Sequence, residues 1–426
     1  MLGLSHRIGL LLLSVVFSIT ACAVQTPAVP GAVSDTYFGM HLHRAVVPQP
    51  WLPDGERLTP WPEAKFGSWR LWDAYVAWPN LEPQKGKWQF ATLDKYVAMA
   101  QLAGVEVLLP LGLSPPWASA RPSETSSYKP GNAAEPRDIE DWRNYVRTVA
   151  TRYKGRIRAY EIWNEPNLKG FYTGTPEKLL ELSRVAYETL KAVDPAITIV
   201  SPAVTGDGRH PEWLDHYLAL GGGQYADVIA YHFYVPRQAP EAMLPVIAKV
   251  QHIMRKHNQD HKPLWNTETG WRIANKTITQ RIGAAGENWS NLDDAQAAAY
   301  VARALVLGWA AGVQRFYWYA WDNVDMGLID PADKSLKPAG AAYGRVREWM
   351  LGATFAGCNE DGSLWVCTLI RADGKPARIV WRTGGEALWQ VPAAWQALTL
   401  ETLAGDVRTF DGQQVVMLGQ FPVLVR

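Results

Sequence analysis

The chain has 426 residues, of which 48% are apolar and 19% are charged, as in folded globular proteins rather than disordered ones. Its 42 basic and 41 acidic residues give a formal net charge of +1 without runs of like charge, which excludes nucleic acid as an expected partner. The length exceeds what one hydrophobic core usually serves, so a large domain with a smaller one is expected.

The first 22 residues have the pattern of an export signal. Arg7 supplies the positive segment, and residues 8–19 (IGLLLLSVVFSI) form an apolar stretch too short to span a bilayer comfortably. The following ITAC resembles a bacterial lipobox, in which Cys22 would be lipidated and become the mature N-terminus, whereas Ala21-Cys22-Ala23 also fits simple cleavage. Either interpretation predicts an exported protein of the periplasm or outer surface, and lipidation would anchor it to a membrane.

Beyond a Pro/Ala-rich linker at residues 23–35, short β-rich runs alternate with helical patterns. The expected strands are residues 37–43, 67–72, 106–111, 157–163, 197–201, 227–234, 263–267 and 315–321. Helices are expected around residues 139–149, from Thr175-Pro176-Glu177 to the residue before Asp194, and at 293–311 and 337–351. Eight strands alternating with helices predict an α/β fold, a (β/α)8 barrel over residues 36–352.

Residues 353–426 have a different character. Strands are expected at residues 364–370, 377–381, 397–402, 414–418 and 422–425, separated by Asp-Gly and Gly-Gly turns, which predicts a small antiparallel, β-sandwich-like domain. Cys358 and Cys367 flank the turn sequence NEDGS in an exported chain, so a local disulfide is predicted.

The predicted strand ends concentrate polar and aromatic side chains where barrel enzymes keep reactive groups. In strand order these are His41 and His43, Arg70, Asn164 and Glu165, His232 and Tyr234, Glu268, and Trp321. Pro166 cannot donate to a strand ladder and disfavours helical geometry at the preceding residue, so Glu165 is expected to be extended and to face a pocket. Glu165 and Glu268, on strands four and seven, can converge across a bound sugar.

The motif WNEPN, together with WNTETGW on strand seven, resembles the clan A glycoside hydrolases and most closely family 39. Within that family it is similar to hydrolases of Psl-type biofilm exopolysaccharides. The resemblance extends from FGMHLH through AYHFY and GLIDPADKSLKPAGAAY to the trailing β domain. It implies a monomeric barrel enzyme without metal or cofactor, which cleaves the O-glycosidic bonds of a polysaccharide by double displacement. Glu165 would be the general acid/base and Glu268 the nucleophile.

The chemistry of the residues agrees with these roles. Glycoside hydrolysis needs one carboxyl group to protonate the leaving oxygen and another beneath the anomeric carbon. Arg70 could hold Glu268 ionised, and Tyr234 or His232 could hydrogen-bond Glu268. Asn164 could bind the sugar 2-hydroxyl.

Aromatic and imidazole side chains would complete the predicted sugar pocket. His41 and His43 would line it, and Trp321 would stack on the sugar as a supporting residue implied by the resemblance. The further stacking candidates are Trp117, Trp163 and Trp271. Each tryptophan could equally fill a core, because large aromatic side chains dominate protein interiors.

Two other functions remain open from the residues alone. The pair His41 and His43, with His232 and Asp322 at later strand ends, could bind a metal ion as in amidohydrolase-type barrels. That arrangement leaves Glu165 and Glu268 without a shared role. A non-catalytic polysaccharide-binding lipoprotein is the second alternative, and the retention of both glutamates argues against it.

Overall fold

The computed structural model describes residues 31–49, 57–206, 211–275, 289–410 and 414–426. The predicted export signal, Cys22 and residues 23–30 of the predicted linker lie outside these described residues. No helix within the described ranges combines the length and apolarity needed to cross a bilayer. At the end of the predicted linker, Val33 is buried and forms backbone hydrogen bonds with Ala353 and Gly352, so this part of the segment is packed against the chain.

A parallel sheet forms the centre of the molecule and confirms the predicted (β/α)8 barrel. Its strands are β1 (Phe38–Met40), β2 (Ser68–Arg70), β3 (Glu106–Leu111), β4 (Ala159–Ile162), β5 (Thr198–Val200), β6 (Val204–Thr205), β7 (Ile229–His232), β8 (Leu264–Thr269) and β11 (Val313–Trp318). They are ordered β5-β4-β3-β2-β1-β11-β8-β7-β6. A parallel bridge between Val200 and Val228 joins β5 to the residue before β7 and closes the barrel.

The fifth barrel position is divided into two short strands, β5 and β6. Pro202 lies between them, and proline lacks the N–H group that a continuous strand would donate. A second parallel bridge, between Asn164 and Ala203, links the residue beside Glu165 to this interruption. Most barrel strands are shorter than predicted, because their flanking residues leave the ladder to form the loops at the barrel mouth.

Helices surround the sheet and bury their apolar faces against it. They are α1 (Trp78–Leu81), α2 (Ala91–Ala103), α3 (Ile139–Arg152), α4 (Pro176–Val193), α5 (Pro211–Ala219), α6 (Met243–Lys256), α7 (Asp294–Ala310) and α8 (Pro338–Met350). Thr175 caps α4 as its sequence predicts, accepting a hydrogen bond from the Lys178 N–H group. Short 3-10 turns lie at Asp35–Tyr37, Gly222–Tyr225, Pro240–Ala242 and Ala393–Trp395. A two-stranded ribbon, β9 (Arg272–Ile273) with β10 (Asn291–Leu292), lies outside the barrel sheet.

The C-terminal residues form antiparallel sheets, as their sequence predicts. The strands are β12 (Thr354–Asp361), β13 (Leu364–Ile370), β14 (Pro376–Arg382), β15 (Ala387–Gln390), β16 (Thr399–Glu401), β17 (Val407–Thr409), β18 (Val415–Leu418) and β19 (Val423–Val425). One sheet has the order β12-β13-β14-β19-β16-β17, and β15 pairs with β18. Cys358 and Cys367 are directly opposite each other on β12 and β13 and form the predicted disulfide.

Indole N–H groups connect these sheets to the barrel helices. The Trp381 indole donates to Glu241, and the same Glu241 oxygen lies 3.2 Å from the Arg303 guanidinium of α7. The Trp349 indole of α8 donates to Glu401 on β16. These buried polar contacts complement the apolar core, because a buried polar group is stable only when it has a hydrogen-bonding partner.

Candidate active site

Arg70 is the centre of the hydrogen-bond network at the barrel mouth. It ends β2 and is fully buried. Its Nε lies 2.6 Å from Glu161 Oε2, and its Nη1 lies 2.8 Å from Glu268 Oε2. Its Nη2 donates to Glu161 Oε1 at 3.2 Å and to Asn164 Oδ1 at 2.7 Å. The planar guanidinium of Arg70 on β2 therefore fixes in one geometry the Glu161 carboxylate of β4, the Asn164 amide that follows β4 and the Glu268 carboxylate of β8.

Replacing Arg70 by methionine is expected to lower the free energy of unfolding by about 3–5 kcal/mol, because Glu161 and Glu268 would lose their buried positive partner. Urea unfolding at pH 7 measures this change. Arg152→Met is the matched control, since Arg152 pairs with Asp94 in a solvent-accessible ion pair, whose loss costs about 1 kcal/mol or less. Equal losses in both variants would contradict the central role of Arg70.

The backbone at the end of β4 differs from the prediction. Glu165 has φ 44° and Trp163 has φ 62°, so both lie in the left-handed region, and the expected extended conformation of Glu165 is wrong. Pro166 excludes the right-handed helical region but leaves this conformation accessible. The Glu165 N–H donates to Ala203, and its carbonyl accepts from Leu168, so the residue begins a tight turn that aims its side chain across the mouth.

Glu165 and Glu268 converge, as predicted from their places at the fourth and seventh predicted strands, which are β4 and β8 in the structure. One carboxylate oxygen of each, with a ring nitrogen of His232, forms a group whose atoms all lie within 4.8 Å of one another. The Tyr234 hydroxyl donates to Glu268 Oε1 at 2.8 Å. His232 Nδ1 is 2.8 Å from Glu165 Oε1, so His232 partners Glu165, whereas Tyr234 partners Glu268. Of the two alternatives predicted for Glu268, the structure selects the tyrosine.

Burial controls the protonation of this group. It raises the pKa of Glu165 to about 7, and the charge of Asp73 acts in the same direction. Burial also raises the pKa of Glu268 to about 7, although the charge of Arg70 opposes the increase. The two carboxyl groups interact and therefore titrate in two steps that belong to the pair. Glu268 accepts hydrogen bonds from both Arg70 and Tyr234, which favours the ionised form of Glu268 over that of Glu165.

His232 and His41 are neutral at physiological pH. Burial lowers the pKa of His232 to about 4, and the pKa of His41 falls well below its usual value for the same reason. His41 is fully buried, with Nε2 3.1 Å from the Thr267 carbonyl oxygen, and its ring contacts those of His43 and Tyr319. His43 lines a cavity at the barrel mouth, whereas His41 is not among the residues that line it.

The metal-binding arrangement of His41, His43, His232 and Asp322 is not assembled in the structure. The Asp322 carboxylate accepts from the backbone N–H groups of His43 and Arg44, so it stabilises the loop after β1. Within the described ranges, the carboxylates and imidazole close enough to share an ion belong to Glu165, His232 and Glu268. The buried Arg70 guanidinium beside Glu268 repels a cation from that position.

A cavity of about 520 Å³ opens at the loops that follow β1, β2, β3 and β11. Aromatic and polar side chains line it, as in a typical carbohydrate site. They include Trp72, Asp73, Tyr128, Lys129 and Tyr319. Glu165 and Glu268 are not among its lining residues, but the ring centroid of Trp72 lies 5.9 Å from the guanidinium carbon of Arg70, so the cavity adjoins the Arg70 network.

The tryptophans proposed for stacking lie elsewhere. Trp271 is fully buried, donates its indole N–H to the Val235 and Gln238 carbonyls, and stacks on Trp318 in the core. Trp163 is also fully buried. Neither can contact a sugar in this conformation, so the stacking interpretation is corrected to core packing for both.

Trp117 and Trp321, which were also predicted to stack on a sugar, pack against other side chains of the protein instead. Trp117 packs on Trp78, donates to the Glu82 carbonyl and is absent from the cavity wall. Trp321 is 3% exposed and belongs to the barrel core. The aromatic residue that follows β11 in the cavity wall is Tyr319, two positions earlier than predicted. Strand β11 ends at Trp318 rather than at residue 321, so the residue that follows the strand into the cavity wall lies earlier in the sequence than predicted.

Four further residues of this network escaped the sequence analysis: Glu161, Asp73, Tyr128 and Tyr319. Glu161 carried a usable signal, because a charged residue inside the apolar run AYEIW must be paired when the strand is buried. Asp73 and Tyr128 lie in loops without a periodic pattern, so no local signal connected them.

Comparisons with known proteins agree with this geometry. The sequence profile of the family described as "Glycosyl hydrolases family 39" matches residues 68–276, a range that contains both glutamates. A β-xylosidase of Geobacillus stearothermophilus is 25% identical over 207 residues, 42% of this chain and 40% of that protein. A β-xylosidase of Caldicellulosiruptor saccharolyticus is 32% identical over 145 residues, 30% of this chain and 29% of that protein. The chain thus matches less than half the length of either curated relative.

Solved structures support the fold over a larger part of the chain. A family 39 glycoside hydrolase from Bacteroides cellulosilyticus superposes with a TM-score of 0.69 at 22% identity, over 93% of this chain and 82% of that one. A family 39 β-xylosidase from Caulobacter crescentus superposes with a TM-score of 0.60 at 18% identity, over 91% and 98% of the respective chains.

Proposed function

Because this chain belongs to glycoside hydrolase family 39 through residues 68–276, we propose that it hydrolyses O-glycosidic bonds of a polysaccharide by double displacement, with retention of anomeric configuration. The observation that carries the proposal is the separation of its two buried glutamates, whose nearest ligand oxygens lie within 4.8 Å. Retaining pairs are about 5–5.5 Å apart, whereas inverting pairs need about 6.5–9.5 Å to admit water between carboxylate and sugar.

Glu268 acts as the nucleophile. Arg70 and Tyr234 each donate a hydrogen bond to its carboxylate, which favours the ionised form despite burial. In the first step one Glu268 oxygen bonds to the anomeric carbon while the glycosidic C–O bond breaks. The negative charge of the carboxylate is consumed in forming the glycosyl ester, so Arg70 then remains paired with Glu161.

Glu165 acts first as acid and then as base. Its raised pKa keeps a proton available for the leaving oxygen near pH 7. After Glu268 has become an ester, its negative charge no longer favours protonation of Glu165, so the Glu165 carboxylate takes a proton from water. That water attacks the anomeric carbon from the face the leaving group vacated, and the second inversion restores the original configuration.

Neighbouring side chains would bind the sugar. The Asn164 Oδ1 is committed to Arg70, which orients its amide and leaves Nδ2 to donate to the sugar 2-hydroxyl. Arg70, Tyr234 and His232 would act through the two carboxyl groups. His43 reaches the cavity wall, where its ring could contact the bound sugar.

The polysaccharide is proposed to be a bacterial exopolysaccharide, since residues 1–22 have the pattern of an export signal. The β-xylosidase names of the two curated relatives make β-xylosides a second substrate class to examine. Both classes are compatible with one carboxylate pair, because sugar identity is determined by the loops around it.

Proton NMR of early products tests the mechanism. We expect a panel of aryl β-glycosides and purified exopolysaccharides to contain a substrate whose first product has the anomeric configuration of the starting bond. An inverted first product would exclude double displacement. Absence of cleavage across the panel, with retained binding of a polysaccharide, would favour a non-catalytic binding protein instead.

A further inference from the structure

Asp73 joins two tyrosines from distant loops at the edge of the cavity. The Tyr128 hydroxyl donates to Asp73 Oδ1 at 2.7 Å, and the Tyr319 hydroxyl donates to Asp73 Oδ2 at 2.6 Å. Asp73 follows β2, Tyr128 precedes α3, and Tyr319 follows β11. We call Asp73, Tyr128 and Tyr319 the tyrosine bracket. Its three side chains come from three of the loops that form the cavity.

The bracket borders the cavity, and its charge acts on the carboxylate pair. All three residues line the cavity, and the charge of Asp73 acts on both Glu165 and Glu268. The Ser127 N–H donates to the Gly170 carbonyl at 2.8 Å, which ties the Tyr128 segment to the loop after Glu165. A sugar unit bound next to the cleaved bond on the cavity side would therefore meet the bracket.

The bracket presents hydrogen-bond acceptors without donors. A phenol has one O–H hydrogen, and each tyrosine gives that hydrogen to Asp73. Each phenol oxygen can then only accept a hydrogen bond from a ligand. The Asp73 carboxylate, too, can only accept. A ligand group facing this wall must supply the hydrogen itself, as a free sugar hydroxyl does.

We propose that the tyrosine bracket is a specificity-determining wall that selects an uncharged sugar unit with free hydroxyl groups, and that Asp73 positions the two tyrosines for this role. The proposal rests on the proposed function, since it assigns the class of sugar that the same site accepts. O-acylation removes the hydrogen that the wall needs, and a uronate carboxylate would face Asp73 with the same charge. Lys129 lies at the exposed edge of the cavity, so attraction of anions there is the competing effect.

Substrate selectivity tests the wall. The probes are 4-nitrophenyl glycosides of the sugar that the panel identifies, in free-hydroxyl, O-acetylated and uronic acid forms. For Asp73→Asn we expect kcat/KM on the free-hydroxyl form to fall about 10- to 100-fold, mainly through KM, because a lost charge-assisted hydrogen bond has this magnitude. We also expect the preference for the free-hydroxyl form over the other two to shrink by a similar factor.

Asp73→Asn should retain the fold, since asparagine has the same shape and tolerates the left-handed backbone at this position, where φ is 54°. Tyr128→Phe and Tyr319→Phe remove one acceptor each and should each lower kcat/KM about 10-fold. Their effects should shrink in the Asp73→Asn background, because the three groups act together. Asp94→Asn is the matched control: Asp94 also accepts from a tyrosine hydroxyl, that of Tyr153, but on the outer helices.

The outcomes separate the two proposals. No cleavage of any probe by the unaltered protein would overturn the proposed function and the wall with it. Cleavage by the unaltered protein, with selectivity unchanged in Asp73→Asn, would overturn the wall alone. Equal cleavage of the free-hydroxyl and uronic acid forms by the unaltered protein would also overturn the wall. That result would mean that repulsion between Asp73 and the uronate carboxylate does not determine selectivity.

Discussion

Replacement of Glu268 by alanine is expected to lower kcat by at least about 10⁴-fold, well within the rate enhancements of ~10⁶ or more that enzymes achieve. Without the carboxylate no glycosyl ester can form, and water has no positioned base on that face of the sugar. Azide can enter the vacated space beside Arg70 and attack the anomeric carbon directly. Partial rescue by azide, giving a glycosyl azide of inverted configuration, is therefore expected.

The test is steady-state kinetics with and without azide, followed by NMR of the azide adduct. Glu106→Ala is a suitable control, since Glu106 begins β3, at the end of the barrel opposite the mouth, and pairs with Arg315. Unaltered kcat in Glu268→Ala, or an adduct of retained configuration, would contradict the assignment of Glu268 as nucleophile.

Replacement of Glu165 by alanine is expected to act differently on the two steps. Substrates with poor leaving groups should react about 10²- to 10⁴-fold more slowly, because they depend on protonation of the leaving oxygen. Activated aryl glycosides should still form the glycosyl ester, which would accumulate because no base activates water. Azide needs no base, so it should restore turnover and give a glycosyl azide of retained configuration.

The pH dependence gives an independent test of the same residue. In the proposed mechanism Glu165 must be protonated in the first step, so kcat/KM of the unaltered protein should fall as pH rises through the upper macroscopic pKa of the pair, near 7. The alkaline decline should disappear in Glu165→Ala with an activated substrate. Its persistence would mean that another group supplies the proton.

The barrel and its carboxylate pair could be predicted because their signals are local and repeated. Each strand has its own apolar run, and Pro166 and Gly270 follow their glutamates closely in the chain. The conformation of Glu165 could not be predicted, because proline excludes one backbone region without choosing between the others. That choice depends on Ala203, a partner thirty-eight positions away in the sequence.

The side-chain environment was harder to predict for a related reason. Tryptophans in a pocket and in a core have the same composition signal, and only packing shows that Trp271 lies beside Trp318. Tyr319 was missed by two positions because β11 ends earlier than its apolar pattern suggests. The bracket around Asp73 depends on three loops meeting, which no single segment of sequence encodes.

Arg70 has a consequence for engineering, since it bonds Glu161 as well as Glu268. A chain without Glu268 still contains the Arg70–Glu161 pair, so the residue that stabilises the barrel mouth is separable from the proposed nucleophile. A glycosyl fluoride whose configuration mimics the ester could then occupy the vacated space. An acceptor hydroxyl would then displace fluoride from the anomeric carbon while Glu165 takes the hydroxyl proton, and the new glycosidic bond would persist because the nucleophile that would cleave it is absent.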